Sequence, residues 1–174
     1  MRVFRVLPFD PNAADDEPGG VFFRPYSCLY VADNAAGAIA EVFGRFDMWD
    51  RALIEARPAS LLLPDSSFAL AVYELADDVQ VCDLNSAERL LEFGLRPSDV
   101  VTRDRAVSQA WAAKIEQTGT YAGVSWWSYY DPAWRSIALW DLDGVALIEQ
   151  PRVLNIEDRD VQQAASAIVR RIID

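Results

Sequence analysis

The order of apolar and polar residues along the chain predicts a mixture of strands and helices. Alternating or continuous apolar runs predict strands at 3–7, 28–32, 59–63, 68–75, 79–84, 121–127, 136–142 and 145–148. Apolar residues at i, i+3, i+4 and i+7 predict a helix after Asp33 or Asn34, either of which can cap it. The buried stripe of this helix is predicted to consist of Ile39, Val42, Phe43 and Phe46.

Three further helices are predicted at 86–93, 104–117 and 157–172. Gly94 and Gly119 follow the first two, at positions where glycine commonly ends a helix. A doubly wound sheet would require strands and helices to alternate regularly, and here they do not. The pattern therefore predicts an α+β fold with a curved, mostly antiparallel sheet and flanking helices. The length of 174 residues predicts a single domain over residues 1–174.

Composition narrows the chemistry that the chain can perform. There is no histidine, which excludes Ser-His-Asp and Cys-His hydrolysis and most zinc catalysis. Cys28 and Cys82 lie far apart, so neither a disulfide framework nor a cysteine-rich metal site is predicted. Any reaction must therefore use carboxylates, hydroxyls, arginines and the backbone.

The longest clean apolar run, 68–73, has six residues, and no secretion signal is recognisable at the start of the chain. These features predict a soluble, cytoplasmic protein that does not enter a membrane. A net charge of −11 argues against direct binding of nucleic acid and suits a basic protein partner.

Two acidic segments could in principle hold a cation. Asp15, Asp16 and Glu17 lie in a stretch with prolines and glycines, which favours a solvated loop. The segment 141–144, Asp-Leu-Asp-Gly, begins like a calcium loop, but later ligands do not follow at the required spacing. A turn between two strands is the better interpretation.

Four residues stand out singly, each with a structural alternative. Glu41 lies off the apolar stripe of its helix, where it could instead form an ion pair with Arg45. Arg5 interrupts an apolar strand, so its charge must reach water, a carboxylate or an anionic ligand. Arg24 lies in an aromatic stretch before a proline, and Tyr30 lies in a strand.

The segment 123–130, Gly-Val-Ser-Trp-Trp-Ser-Tyr-Tyr, is unusually aromatic. Its rings could pack into the core, or they could form a stacking wall for a flat ring such as nicotinamide or adenine.

Taken in order, these segments resemble the RES family of bacterial toxins. The resemblance rests on Phe4-Arg5-Val6, Phe23-Arg24-Pro25, Leu29-Tyr30-Val31-Ala32, Ala38-Ile39-Ala40-Glu41-Val42, Ser108-Gln109-Ala110-Trp111-Ala112 and Gly123-Val124-Ser125-Trp126-Trp127-Ser128. The spacing of eleven residues from Tyr30 to Glu41 matches the family, whose serine corresponds to Ser128 rather than Ser125.

The resemblance implies an ADP-ribosyltransferase-like fold and a toxin that cleaves the nicotinamide–ribose bond of NAD+. Phosphate or water would be the acceptor, NAD+ would be substrate rather than cofactor, and an Xre-like helix-turn-helix antitoxin would neutralise the toxin. A protein ADP-ribosyltransferase and a non-catalytic protein that binds a nucleotide or a partner remain alternatives. A homodimer is left open.

The resemblance also assigns roles to residues. Catalysis is expected from Glu41, Arg5 and Ser128, and binding of NAD+ from Arg24, Tyr30 and Trp126. Glu41 would stabilise positive charge on the ribose or hold its hydroxyls, and the arginines would bind the pyrophosphate or an incoming phosphate. Ser128 would form a hydrogen bond with the nicotinamide ribose or carboxamide, and Tyr30 would stack on the nicotinamide.

Overall fold

The computed structural model of the chain describes residues 1–24, 27–55 and 66–173. The elements, in chain order, are β1 (Arg2–Phe9), β2 (Leu29–Ala32), α1 (Ala35–Phe43), β3 (Met48–Trp49), α2 (Arg51–Ile54), β4 (Ser67–Leu75), β5 (Val81–Asp83), α3 (Ala87–Phe93), α4 (Pro97–Val100), α5 (Arg105–Glu116), β6 (Gly123–Trp127), β7 (Arg135–Leu139), β8 (Val145–Val153), α6 (Arg159–Ala167) and β9 (Arg171–Ile172). The predicted strand at 59–63 lies outside the described residues.

Over the described residues, seven strands form one sheet in the order β5-β6-β7-β2-β1-β4-β8. Every neighbouring pair is antiparallel except β5 and β6. The predicted α+β fold with a mostly antiparallel sheet is thus confirmed. The short strands β3 and β9, which the sequence did not predict, form a separate parallel pair.

Helix α1 forms where the apolar spacing predicts it. The side chain of Asn34 accepts a hydrogen bond from the Gly37 amide at 2.7 Å and so caps the first turn. Ile39 and Phe43 are buried in the core that α1 shares with α6. The helix ends at Gly44, where a Cβ atom would lie only 2.6 Å from the ring of Tyr130. Burial of one face leaves the opposite face of α1 available for polar groups.

The last helix is shorter than predicted. The pattern predicts a helix to residue 172, but α6 ends at Ala167, and Val169 adopts a positive φ of 56°. The chain then reverses direction so that β9 can pair with β3, while the Arg170 guanidinium donates to the Gly44 carbonyl. Tertiary pairing therefore overrides the helical period over the last few residues.

The core lies on both faces of the sheet. The face toward α1 and α6 is covered by the apolar stripes of these helices, and the opposite face buries Val3, Leu7 and Tyr73. Helix α5 buries Trp111 and Ile115 as predicted, but Val107 is exposed, so the inner face predicted for that helix was too wide. In the part of the chain that the structure describes, no helix is long and apolar enough to cross a membrane.

Candidate active site

A cavity of about 300 Å³ opens where strands β1 and β2 separate. The two strands share a single register pair, Phe4 with Ala32. The residues next to that pair line the cavity together with part of α1 and the ends of β6 and β7. Among the described residues, the lining consists of Phe4, Arg5, Val6, Tyr30, Val31, Ala32, Ala38, Glu41, Val42, Trp126 and Ser136.

The cavity holds one carboxylate, that of Glu41, and two serine hydroxyls donate to it. Ser128 Oγ lies 2.7 Å from Glu41 Oε1, and Ser136 Oγ lies 3.2 Å from the same oxygen. Both serines are buried, whereas Glu41 itself is exposed. Helix α1 therefore presents the carboxylate at the cavity, and two strand ends supply the groups that hold it.

The alternative partner for Glu41 is not used. No ion pair joins Glu41 to Arg45, although both residues are described. The Arg45 guanidinium instead lies 4.7 Å from the centre of the Phe46 ring. Among the described residues, no cation pairs with Glu41.

Ser128 is fixed on three sides. Its amide donates to the Trp134 carbonyl at 2.8 Å, and its Oγ accepts from the Tyr130 amide at 3.2 Å. Because a hydroxyl carries a single proton, the bond to Glu41 uses its donor. The geometry thus makes Ser128 a partner of Glu41, whereas the resemblance implied a direct bond to the nicotinamide ribose or carboxamide.

Ser125 reaches a different carboxylate. Its Oγ donates to Asp83 Oδ1 at 3.2 Å, on the strand next to β6. Side chains three positions apart in an extended segment point to opposite faces. This alternation separates Ser125 from Ser128, and it is Ser128 that reaches Glu41.

Arg5 lines the cavity and anchors the loop that follows β1. Its guanidinium donates to the carbonyls of Val21 at 3.1 Å and Phe23 at 2.8 Å, and Tyr73 Oη donates to Val21 at 2.5 Å. Burial lowers the pKa of Arg5, and contacts with Tyr73 partly offset this shift. Within the described residues, no carboxylate pairs with Arg5. The guanidinium is therefore balanced only by neutral oxygens.

Of the other three predicted site residues, two line the cavity and one does not. Tyr30 and Trp126 line the cavity, and Trp126 packs edge-on against Trp111 with 6.2 Å between ring centres. Arg24 does not line it: its Nη1 donates to the Trp140 carbonyl at 2.9 Å. Trp140 lies four residues beyond Ser136 along the strand direction, about 13 Å away at the usual rise per residue.

Tyr130 borders the same group of side chains. Burial raises the pKa of its phenol, and the nearby negative charge of Glu41 raises this pKa further. Tyr129 stacks edge-on against Tyr130, and the Arg103 guanidinium lies 5.4 Å from the Tyr129 ring centre. Within the aromatic segment, Trp126 thus packs against Trp111 in the core and also lines the cavity, while its stacking on a flat ligand ring stays a prediction.

The acidic segments hold no arrangement that suggests a cation. Over residues 1–24, 27–55 and 66–173, no group of three or more acidic, cysteine or histidine side chains could bind a metal. The segment 141–144 is a turn, in which Asp141 accepts from the Asp143 amide at 3.0 Å and Gly144 has a φ of 80°. The turn interpretation of that segment is confirmed.

Sequence reasoning missed Ser136, together with the smaller lining residues Ala38 and Val42. The three residues that follow Ser136 in its strand are apolar and buried, and a buried hydroxyl beside them needs a partner. That requirement is the one signal that could have identified it. The identity of the partner depends on the order of strands in the sheet.

The fold and the cavity define an α+β protein whose candidate site has one carboxylate, which two serine hydroxyls hold. The chain belongs to the RES domain family, whose model matches residues 11–162. The chain is also similar in fold to a chain of the MbcT–MbcA toxin–antitoxin complex of M. tuberculosis. That match has 16% identity and a TM-score of 0.57, and it covers 97% of this chain and 89% of the other. A search of curated proteins found no match.

Proposed function

We propose that the protein is a toxin that depletes NAD+ by cleaving the bond between nicotinamide and ribose. The observation that carries the proposal is the Glu41 carboxylate, held by two buried hydroxyls at a cavity lined by Tyr30 and Trp126. Membership of the RES domain family supports the same conclusion. The cavity volume of about 300 Å³ is at the lower end of the range for small-molecule sites.

The chemistry needs what this site contains. Cleavage of the glycosidic bond places positive charge on the ribose, and nicotinamide leaves as a neutral base. No acid has to protonate the leaving group, so the lack of histidine is no obstacle. One carboxylate can stabilise the developing charge, whereas most glycosidases need two. Glu41 has no paired cation among the described residues, and its charge is therefore available for this purpose.

The remaining cavity residues suit the other parts of NAD+. Tyr30 and Trp126 offer ring faces or edges against which a nicotinamide ring can pack. Arg5 offers guanidinium donors for the pyrophosphate or for an incoming phosphate. Arg24 does not line the cavity, and its guanidinium is bonded to the Trp140 carbonyl, so it could contact only a part of the dinucleotide that extends beyond the cavity.

The proposed partner is an antitoxin protein of the Xre-like helix-turn-helix kind. The similar M. tuberculosis structure is a complex of a toxin with its antitoxin. The net charge of −11 favours a basic partner, and a protein that binds DNA has basic surface of its own. Co-purification with the product of a neighbouring reading frame would test this part of the proposal.

Incubation of the purified protein with NAD+ tests the activity. We expect free nicotinamide, and a rate that increases with inorganic phosphate would identify phosphorolysis rather than hydrolysis. NAD+ labelled in the adenosine half distinguishes the other candidates. Label that moves to a protein would indicate ADP-ribosyl transfer, and intact NAD+ that binds without cleavage would indicate a non-catalytic nucleotide-binding protein.

A further inference from the structure

The second hydroxyl on Glu41 has no role in the function proposed so far. Ser136 begins the buried part of β7 and is only 7% exposed. Its Oγ lies 3.2 Å from Glu41 Oε1, and it lines the cavity beside Trp126. Ser136 is therefore close to any ligand that occupies this cavity.

Both serines donate to the same carboxylate oxygen. A carboxylate oxygen has about two positions at which it can accept a hydrogen bond. Ser128 and Ser136 occupy both positions on Oε1, while no described residue donates to Oε2. Since Glu41 lines the cavity, Oε2 is the oxygen with acceptor positions left for a ligand, as far as the described residues go.

Two donors constrain the carboxylate more than one would. The terminal torsion of a glutamate side chain is broad, so a single hydrogen bond leaves the carboxylate free to rotate. Ser136 donates from strand β7, and Ser128 donates from the end of β6. Two donors on separate strands hold Oε1 from two directions and fix the plane of the group.

We infer that Ser136 is a positioning residue, which acts with Ser128 to hold Oε1 and to present Oε2 to the ribose of NAD+. This inference rests on the proposed function. Ser136 contributes to the reaction through Glu41, so its loss reduces turnover more than it reduces the affinity for substrate.

The test compares Ser136→Ala with Ser125→Ala in the full-length protein. Ser125 is a matched control, since it is also a buried serine that donates to a carboxylate, but that carboxylate is Asp83. We expect Ser136→Ala to lower kcat about 10-fold or more, with KM changed by no more than about 2-fold. Ser136→Thr, which keeps the hydroxyl, should recover most of the loss, and Ser125→Ala should match the wild type.

An NAD+ analogue without the 2′-hydroxyl of the nicotinamide ribose sharpens the test. The Oε2 atom presented to the ribose binds that hydroxyl, so the loss caused by Ser136→Ala should shrink with the analogue, because the contact that Ser136 supports is already absent. Melting temperatures and calorimetric titration of NAD+ would report on folding and binding. Should Ser136→Ala fail to fold, the nearly isosteric Ser136→Cys, a weak donor, takes its place.

The outcomes separate the two hypotheses. A wild-type protein that releases no nicotinamide would overturn the proposed function and the inference with it. An active wild type whose Ser136→Ala and Ser136→Cys variants retain full kcat, while Glu41→Gln is inactive, would overturn the inference alone. Equal losses with NAD+ and the 2′-deoxy analogue would also overturn it.

Discussion

Two carboxylates, Glu41 and Asp83, each receive a hydrogen bond from a serine of the same segment, but their surroundings differ. Asp83 Oδ1 accepts from Ser125 Oγ and from both the amide and the side chain of Asn85. Its Oδ2 lies 3.5 Å from an Arg135 guanidinium nitrogen. Among the residues that the structure describes, Glu41 accepts only from two serine hydroxyls, both on one oxygen.

These surroundings determine which of the two carboxylates has a negative charge that can act on a ligand. Burial raises the pKa of Asp83, but the Asn85 hydrogen bonds, the Arg135 charge and the Ser125 hydroxyl together outweigh it, so that the net shift is downward. The charge of Asp83 is thus balanced within the fold. Glu41 is oriented by neutral donors, and no cation among the described residues pairs with it. Its negative charge can therefore act on a positively charged centre.

The largest expected effect comes from removing the charge of Glu41. We expect Glu41→Gln to lower the rate of NAD+ cleavage by about 10²–10³, because the developing charge on the ribose loses its stabilising group. Asp83→Asn is the matched control and should leave the rate nearly unchanged. A nicotinamide-release assay measures both. Near-full turnover by Glu41→Gln would show that NAD+ cleavage does not depend on the Glu41 carboxylate.

The serines of the two regions provide the next contrast. We expect Ser128→Ala to lower the rate of NAD+ cleavage by about 10- to 100-fold, because it removes the shorter of the two hydrogen bonds to Glu41. Ser125→Ala removes only a bond to Asp83 and should change the rate little. The reverse result in parallel assays would indicate that the Asp83 region, rather than the Glu41 region, is the functional one.

The arginines near the two carboxylates also differ in their partners. Arg135 is paired with Asp83. Arg5 lines the cavity that contains Glu41, and no carboxylate among the described residues pairs with it. We expect Arg5→Ala to weaken NAD+ binding and to lower the free energy of unfolding by about 1–3 kcal/mol, since the partly buried Phe23 carbonyl loses its donor and the Val21 carbonyl keeps only the donor from Tyr73.

Calorimetry with NAD+ and chemical denaturation measure these two effects of Arg5→Ala separately. Arg24→Ala should have the smaller effect on affinity, because its guanidinium is bonded to the Trp140 carbonyl away from the cavity. Unchanged NAD+ affinity in both variants would exclude the phosphate-binding role of the arginines.

The smallest effect concerns stability at the Asp83 region. The pKa of Asp83 is lowered on folding, so its contribution to stability is present above the ordinary carboxyl pKa near 3.8 and is lost as pH falls through the lowered folded value. Asp83→Asn should therefore lower the free energy of unfolding by about 0.5–1 kcal/mol at pH 7, as for other partly exposed pairs. The difference from wild type should vanish in strong acid. Denaturation curves that differ equally at pH 7 and in strong acid would contradict this assignment.

Much of the local structure could be predicted because it depends on residues close together in the chain. The spacing of Ile39 and Phe43 located α1 and placed Glu41 off its buried face. Gly94 ends α3 in the left-handed conformation, with a φ of 68°, as its position predicted. Strand alternation separated Ser125 from Ser128, although the choice of Ser128 came from the resemblance to the RES family.

By itself, then, the sequence determined four of the six described helices apart from the end of α6, most strands, the α+β class and a set of candidate residues, whereas it did not predict the four-residue helices α2 and α4. Only the tertiary structure decided that Ser128 and Ser136 meet on one oxygen of Glu41, which lies more than 80 residues earlier in the chain. It also decided that Arg24 lies away from the cavity and that the last helix gives way to β9. Helical period and capping follow from neighbours within a few residues, whereas these contacts follow from which strands pair, and in what register.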